Sequence, residues 1–63
     1  MQAYQERVIE EKQQLDEKIE KLQTFVGTEA MSTVSAVQGS LLRSQLSVME
    51  AYSTILGERI KEW

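Results

Sequence analysis

The sequence predicts an all-α protein: two main antiparallel helices with a short connector, assembled as a homo-oligomeric helical bundle. Three observations predict it. Apolar residues recur at helical spacing on both sides of a stretch rich in Ser and Thr. Proline is absent, so nothing breaks either helix by force. The chain has 63 residues and no cysteine, so it forms a single domain, 1–63, that buries a small share of its surface and has no disulfide to hold it. Of the staples that small domains use, oligomerisation is the one that remains.

The first helix is expected over residues 2–26. Glu, Lys, Gln and Leu are abundant here, and all are good helix formers. Tyr4, Val8, Leu15, Ile19, Leu22 and Val26 fall on one narrow stripe, with Ile9 and Phe25 off its two sides. Glu17 and Lys21 stand four apart in the favourable order for an ion pair. Gly27 suits the position just past the helix, where a left-handed conformation closes it. The connector, 27–34, carries only Met31 and Val34 as larger apolar groups and has room for a short helical turn. Ser35 with Gln38 reads as a capping box that opens the second helix, 35–62, with Ser32 or Thr33 as alternative caps.

That second helix has a wide apolar face. Leu42, Leu46, Met49, Leu56, Ile60 and Trp63 alternate in steps of four and three, with Ser53 filling the gap. Val37, Leu41, Val48, Tyr52 and Ile55 lie beside them. Together the two sets cover roughly 180° of the helix. The first helix can cover one strip of so wide an arc, and the remainder calls for another chain. Gly39 and Gly57 each cost about 1 kcal/mol inside a helix relative to Ala, which close approach of a neighbour would explain.

Several function classes drop out. Without histidine or cysteine there is no imidazole or thiolate metal site, no cofactor signature and no Ser–His or Cys–His arrangement. The carboxylates of the first helix mostly lie off its apolar stripe and read as a solvated face, so an enzyme is not expected. The net charge of -3 argues against long nucleic acid, which needs a basic face. No apolar run reaches transmembrane length and the start is no signal peptide, so a cytoplasmic protein without membrane contact is expected.

The informative residues are polar groups in or beside the apolar faces. Gln45 and Arg59 project into the arc of the second helix, near Val48 and Tyr52. An arginine there needs a partner. Spacing leaves two candidates open, a carboxylate at an interface or a ligand phosphate held bidentately. On the first helix Tyr4, Arg7, Glu11 and Lys18 follow one border of the stripe on successive turns. They form either a snorkelling rim or a stacking ring beside two cations that suits a nucleotide. Lys12, on the opposite border, reads as ordinary surface.

The stretch YQERVIEEKQQLDEKIEKLQTFV, followed by LLRSQLSVMEAYSTILGERI, resembles a family of very short tailed-phage proteins, relatives of a crAss-like phage protein, that act as anti-CBASS sponges. The resemblance covers nearly the whole chain. Arg7, Glu11, Lys12, Leu15, Asp16 and Lys18 carry it in the first helix, and Gln45, Met49, Tyr52, Leu56, Arg59 and Ile60 in the second. The connector departs most, with Met31 where the family tends to have Phe. The resemblance implies a homohexamer whose pockets between protomers capture cyclic dinucleotides and cyclic trinucleotides in the infected bacterial host cell. It favours ligand roles for Tyr4, Lys18 and Arg59, beside which Arg7 and Gln45 are the further candidate ligand-binding residues. The alternative is a helical oligomerisation or adaptor module that binds a protein partner.

Overall fold

The first helix, α1, runs Ala3–Val26 and the second, α2, runs Ala36–Lys61, with a short 3₁₀ turn at Glu29–Thr33 between them, in a computed structural model that describes all residues Met1–Trp63. At about 1.5 Å rise per residue two such helices of similar length pair along their whole extent. The result is a rod 45 × 14 × 14 Å across its backbone.

The ends of the helices show how local chemistry sets their limits. The backbone N–H of Gln2 donates to Gln5 Oε1 at 2.8 Å, which satisfies a donor that the start of α1 leaves orphaned. Gly27 does not adopt the left-handed conformation expected for it. Its φ is -90° and its N–H continues the helical ladder to the Gln23 carbonyl at 3.1 Å. The next residue makes the stop instead: Thr28 Oγ1 donates to the Phe25 carbonyl at 3.0 Å and accepts from the Ala30 N–H at 3.3 Å. Ser32 and Thr33 hydroxyls return to the carbonyls of Glu29 and Ala30 at 2.7 and 2.6 Å. Such side-chain bonds compete with a continuous helix, and so the Ser/Thr-rich connector turns. Ser35 Oγ then accepts from the Gln38 N–H at 3.1 Å and caps α2.

The helices pack through a thin core. Leu56 is completely buried, and Val8 and Ile19 nearly so. Leu15, Leu22 and Val26 of α1, with Leu42, Leu46, Met49 and Ile60 of α2, are half-buried around them. Gly39 and Gly57 lie where neighbours come close. A Cβ on Gly39 would sit 3.2 Å from Met31 Cε, and one on Gly57 would sit 3.3 Å from Lys12 Cε. Gly39 thus admits the Met31 side chain from the connecting turn, and Gly57 the Lys12 stem from across the helix pair. The second apolar set of α2 is uncovered: Val37, Leu41, Val48 and Ile55 are each more than half exposed.

Two expectations about charges on α1 are corrected. Glu17 and Lys21 form no ion pair; the pair that closes is Lys12–Asp16, at 2.7 Å. Lys12 is accordingly not ordinary surface, and Asp16 is not part of a solvated acidic face. Asp16 also accepts a hydrogen bond of 2.5 Å from Ser53 Oγ across the helix pair. The physical reason is tertiary. Gly57 leaves a gap into which the Lys12 stem folds, and the hydroxyl of Ser53 faces the carboxylate that neutralises the lysine.

Candidate functional site

The antiparallel pairing gives the hairpin two long sides. On the clasped side lie Lys12, Asp16, Ser53 and Gly57. The Lys12 ammonium, foremost, and then the Ser53 hydroxyl hold the Asp16 carboxyl below its ordinary range, against a smaller opposing effect of burial. The Asp16 carboxylate thus accepts from both Lys12 and Ser53, one bond to each oxygen.

The other side is open. Tyr4, Glu11 and Lys18 stand seven residues apart on α1, as do Gln45, Tyr52 and Arg59 on α2. Seven residues are close to two helical turns, a step of about 10 Å, so each set forms a row along the rod. The Tyr52 hydroxyl donates to Glu11 Oε2 and thereby sets the register between the rows. In that register Gln45 falls opposite Lys18 and Arg59 opposite Tyr4. Lys18 and Gln45 do line one shallow groove, with Lys21, Leu22, Phe25 and Met49. Gln45 Nε2 lies 3.8 Å from Met49 Sδ, a weak contact that leaves its amide available.

Tyr4 is half exposed and meets Trp63 edge-to-face, with ring centroids 5.9 Å apart. The pair forms an aromatic corner at the end of the rod where the chain termini meet. Arg7 lies one turn from both Tyr4 and Glu11 and is exposed. Arg59 is exposed too. Neither Arg7, Lys18 nor Arg59 has a carboxylate within ion-pair distance. Arg59 is near enough to Tyr52 to oppose the rise of its phenol. That phenol is held above its ordinary value, first by the hydrogen bond to Glu11, then by desolvation and by the Glu11 charge.

All five expected ligand residues, Tyr4, Arg7, Lys18, Gln45 and Arg59, therefore share the open side. Sequence reasoning missed the company they keep. Trp63 falls by spacing in the inner apolar set of α2, yet it is exposed against Tyr4. Lys21, four residues from Glu17, forms no pair with it and joins Lys18 in the groove. Tyr52 was placed in the apolar arc, and its bond to Glu11 had no signal in either helix alone. No group of three or more acidic residues is placed to hold a metal ion, and no helix is long and apolar enough to cross a membrane.

The fold and its surface thus define a small helical hairpin with one open side that carries cations and aromatic rings. The Sequestin family model matches residues 2–62, so the chain belongs to the Sequestin family. It is 44% identical over 63 residues, covering 100% of this chain and 98% of the relative, to the uncharacterized 7.5 kDa protein of the denB–rIIB intergenic region of Enterobacteria phage T4. No solved structure matches.

Proposed function

We propose that several copies of this chain, six in the form the sequence resemblance implies, sequester cyclic dinucleotides and cyclic trinucleotides in the infected bacterial cell and so blunt CBASS signalling, without transforming the ligand. The observation that carries the reading is the open side itself, where Arg7, Lys18 and Arg59 stand without carboxylate partners beside the exposed ring of Tyr4. A cyclic oligonucleotide offers what these groups lack. Its phosphates suit guanidinium and ammonium donors, and its bases suit an aromatic face. The family name, Sequestin, supports a sequestering role rather than a catalytic one.

Sequestration needs no chemistry. An abundant protein with slow release lowers the free signal by mass action. One hairpin offers a strip and no enclosing walls; a neighbouring copy seated on Val37, Leu41, Val48 and Ile55 would close pockets around it. The same apolar face favours a second reading, an adaptor that docks a protein partner.

Native mass spectrometry with a panel of cyclic di- and trinucleotides separates the two. The sponge reading expects a defined oligomer that gains whole numbers of intact cyclic ligands. An oligomer that retains none of the panel at micromolar concentration would defeat it and leave the adaptor.

A further inference from the structure

On the open side, Glu11 is out of place. It stands midway between Tyr4 and Lys18 in its row, on the side that carries Arg7, Lys18 and Arg59, none of them in an ion pair. A surface built only to attract phosphates would not keep a carboxylate at its centre, because like charge repels a polyanion at close range. Nor is Glu11 loosely placed. The Tyr52 hydroxyl, 41 residues away in sequence, donates to its Oε2 and pins it. Oε1 has no partner, and Oε2 retains a second lone pair.

We infer that Glu11 is a specificity-determining residue, which accepts hydrogen bonds from the Watson–Crick edge of a guanine base in the captured ligand. The inference rests on the sequestering function proposed above and adds a base preference to it. Guanine presents two adjacent donors on that edge, the N1–H and the exocyclic N2 amine, pointing the same way. A carboxylate accepts both, one per oxygen. Adenine presents one donor, on N6, beside the lone pair of N1, so one of its two edge atoms repels the carboxylate. The pinned geometry suits this task. An acceptor fixed before binding loses little freedom on meeting its ligand. Phosphates flanking the base would fall toward Lys18 on one side and toward Arg7 and Arg59 on the other, since each row steps by about 10 Å per residue named.

The experiment is calorimetric titration of the full chain and of Glu11→Gln with cyclic di-GMP and cyclic di-AMP. Glutamine keeps an oxygen for the Tyr52 hydroxyl but turns one acceptor into a donor. A good bidentate pair discriminates bases by about tenfold or more. The wild type should thus prefer the guanine ligand by about tenfold or more, and Glu11→Gln should remove that preference by weakening the guanine ligand alone. Cyclic di-inosine monophosphate gives a check that needs no variant. It keeps N1–H and lacks the N2 amine, so it should bind wild type more weakly than cyclic di-GMP. Equal wild-type affinity for the guanine and inosine ligands would overturn the assignment, as would a Glu11→Gln chain that loses both dinucleotides by the same factor. Wild type that binds none of these ligands would overturn the sequestering function as well, whereas binding without discrimination overturns the role of Glu11 only.

Discussion

Along one side of the hairpin Lys12, Asp16 and Ser53 are tied to each other, while along the other Arg7, Lys18 and Arg59 are left without carboxylates. Both sides are built from the same two helices, with charged residues at similar distances from the same core. They differ in what lies across the helix pair. On the clasped side Gly57 lets the Lys12 stem in, and a small hydroxyl meets the carboxylate. On the open side larger groups stand across from each other, and one hydrogen bond, Tyr52 to Glu11, spans the gap. The comparison teaches that a polar group beside a helix seam becomes structural when its partner is small and near. It stays available when it faces another long side chain or solvent.

The largest expected effect comes from removing what the two sides share. Leu56 is completely buried, and Leu→Ala at such a site costs about 2–5 kcal/mol. In a core this thin, Leu56→Ala should abolish cooperative thermal unfolding followed by circular dichroism. A sharp melt close to wild type would show that other chains, rather than α1, supply most of the burial around Leu56.

Next in size is a charge on the uncovered face. Val48→Asp should leave the hairpin's own contacts intact, since Val48 is more than half exposed, but should break assembly, because an unpaired charge would be buried between copies. Leu46→Asp, on the inner face, should destroy helicity and assembly together. Analytical sedimentation at micromolar concentration distinguishes them. A monodisperse wild-type monomer of 7.2 kDa would remove the basis for a second chain on that face.

The open side should answer to substitution in its ligand, not in its fold. Stacking contributes about 1–3 kcal/mol per base, so Tyr4→Ala should weaken cyclic dinucleotide binding by roughly tenfold to a hundredfold in calorimetry. Its ring also meets Trp63, a contact of about 0.5–1.5 kcal/mol, so a modest drop in melting temperature should accompany the change. Arg59→Ala should leave the ligand-free melt unchanged and forfeit the stabilisation that cyclic trinucleotide gives the wild type. A much lower ligand-free melt would make Arg59 structural.

The smallest effect belongs to the clasp. Its carboxyl is held low in the folded chain. The stability it contributes is therefore present above the ordinary carboxylate value and lost as pH falls through the depressed one. Both partners are partly exposed, so the contribution is modest. Asp16→Asn should flatten the acid limb of a melting-temperature profile below about pH 4, and change little at neutral pH. An acid limb of the same slope in wild type and variant would show that the clasp does not couple to folding.

Much of this was legible along the chain. The period of Leu42, Leu46, Met49, Leu56 and Ile60, the uncovered set Val37, Leu41, Val48 and Ile55, and the Ser35 cap follow from spacing and local bonding, which act within a few residues. The ligand residues could be placed on their own helix borders for the same reason. What no single helix could reveal is which border of α1 meets which border of α2. An antiparallel pair can dock with either hand, and helical periodicity is the same in both. The tertiary structure decided that Glu11 meets Tyr52 and that Lys18 lies with Gln45, whereas Lys12 and Asp16 turn to Ser53 and Gly57. Those choices depend on side-chain size across a gap between elements, and a gap of that kind exists only once both helices are in place.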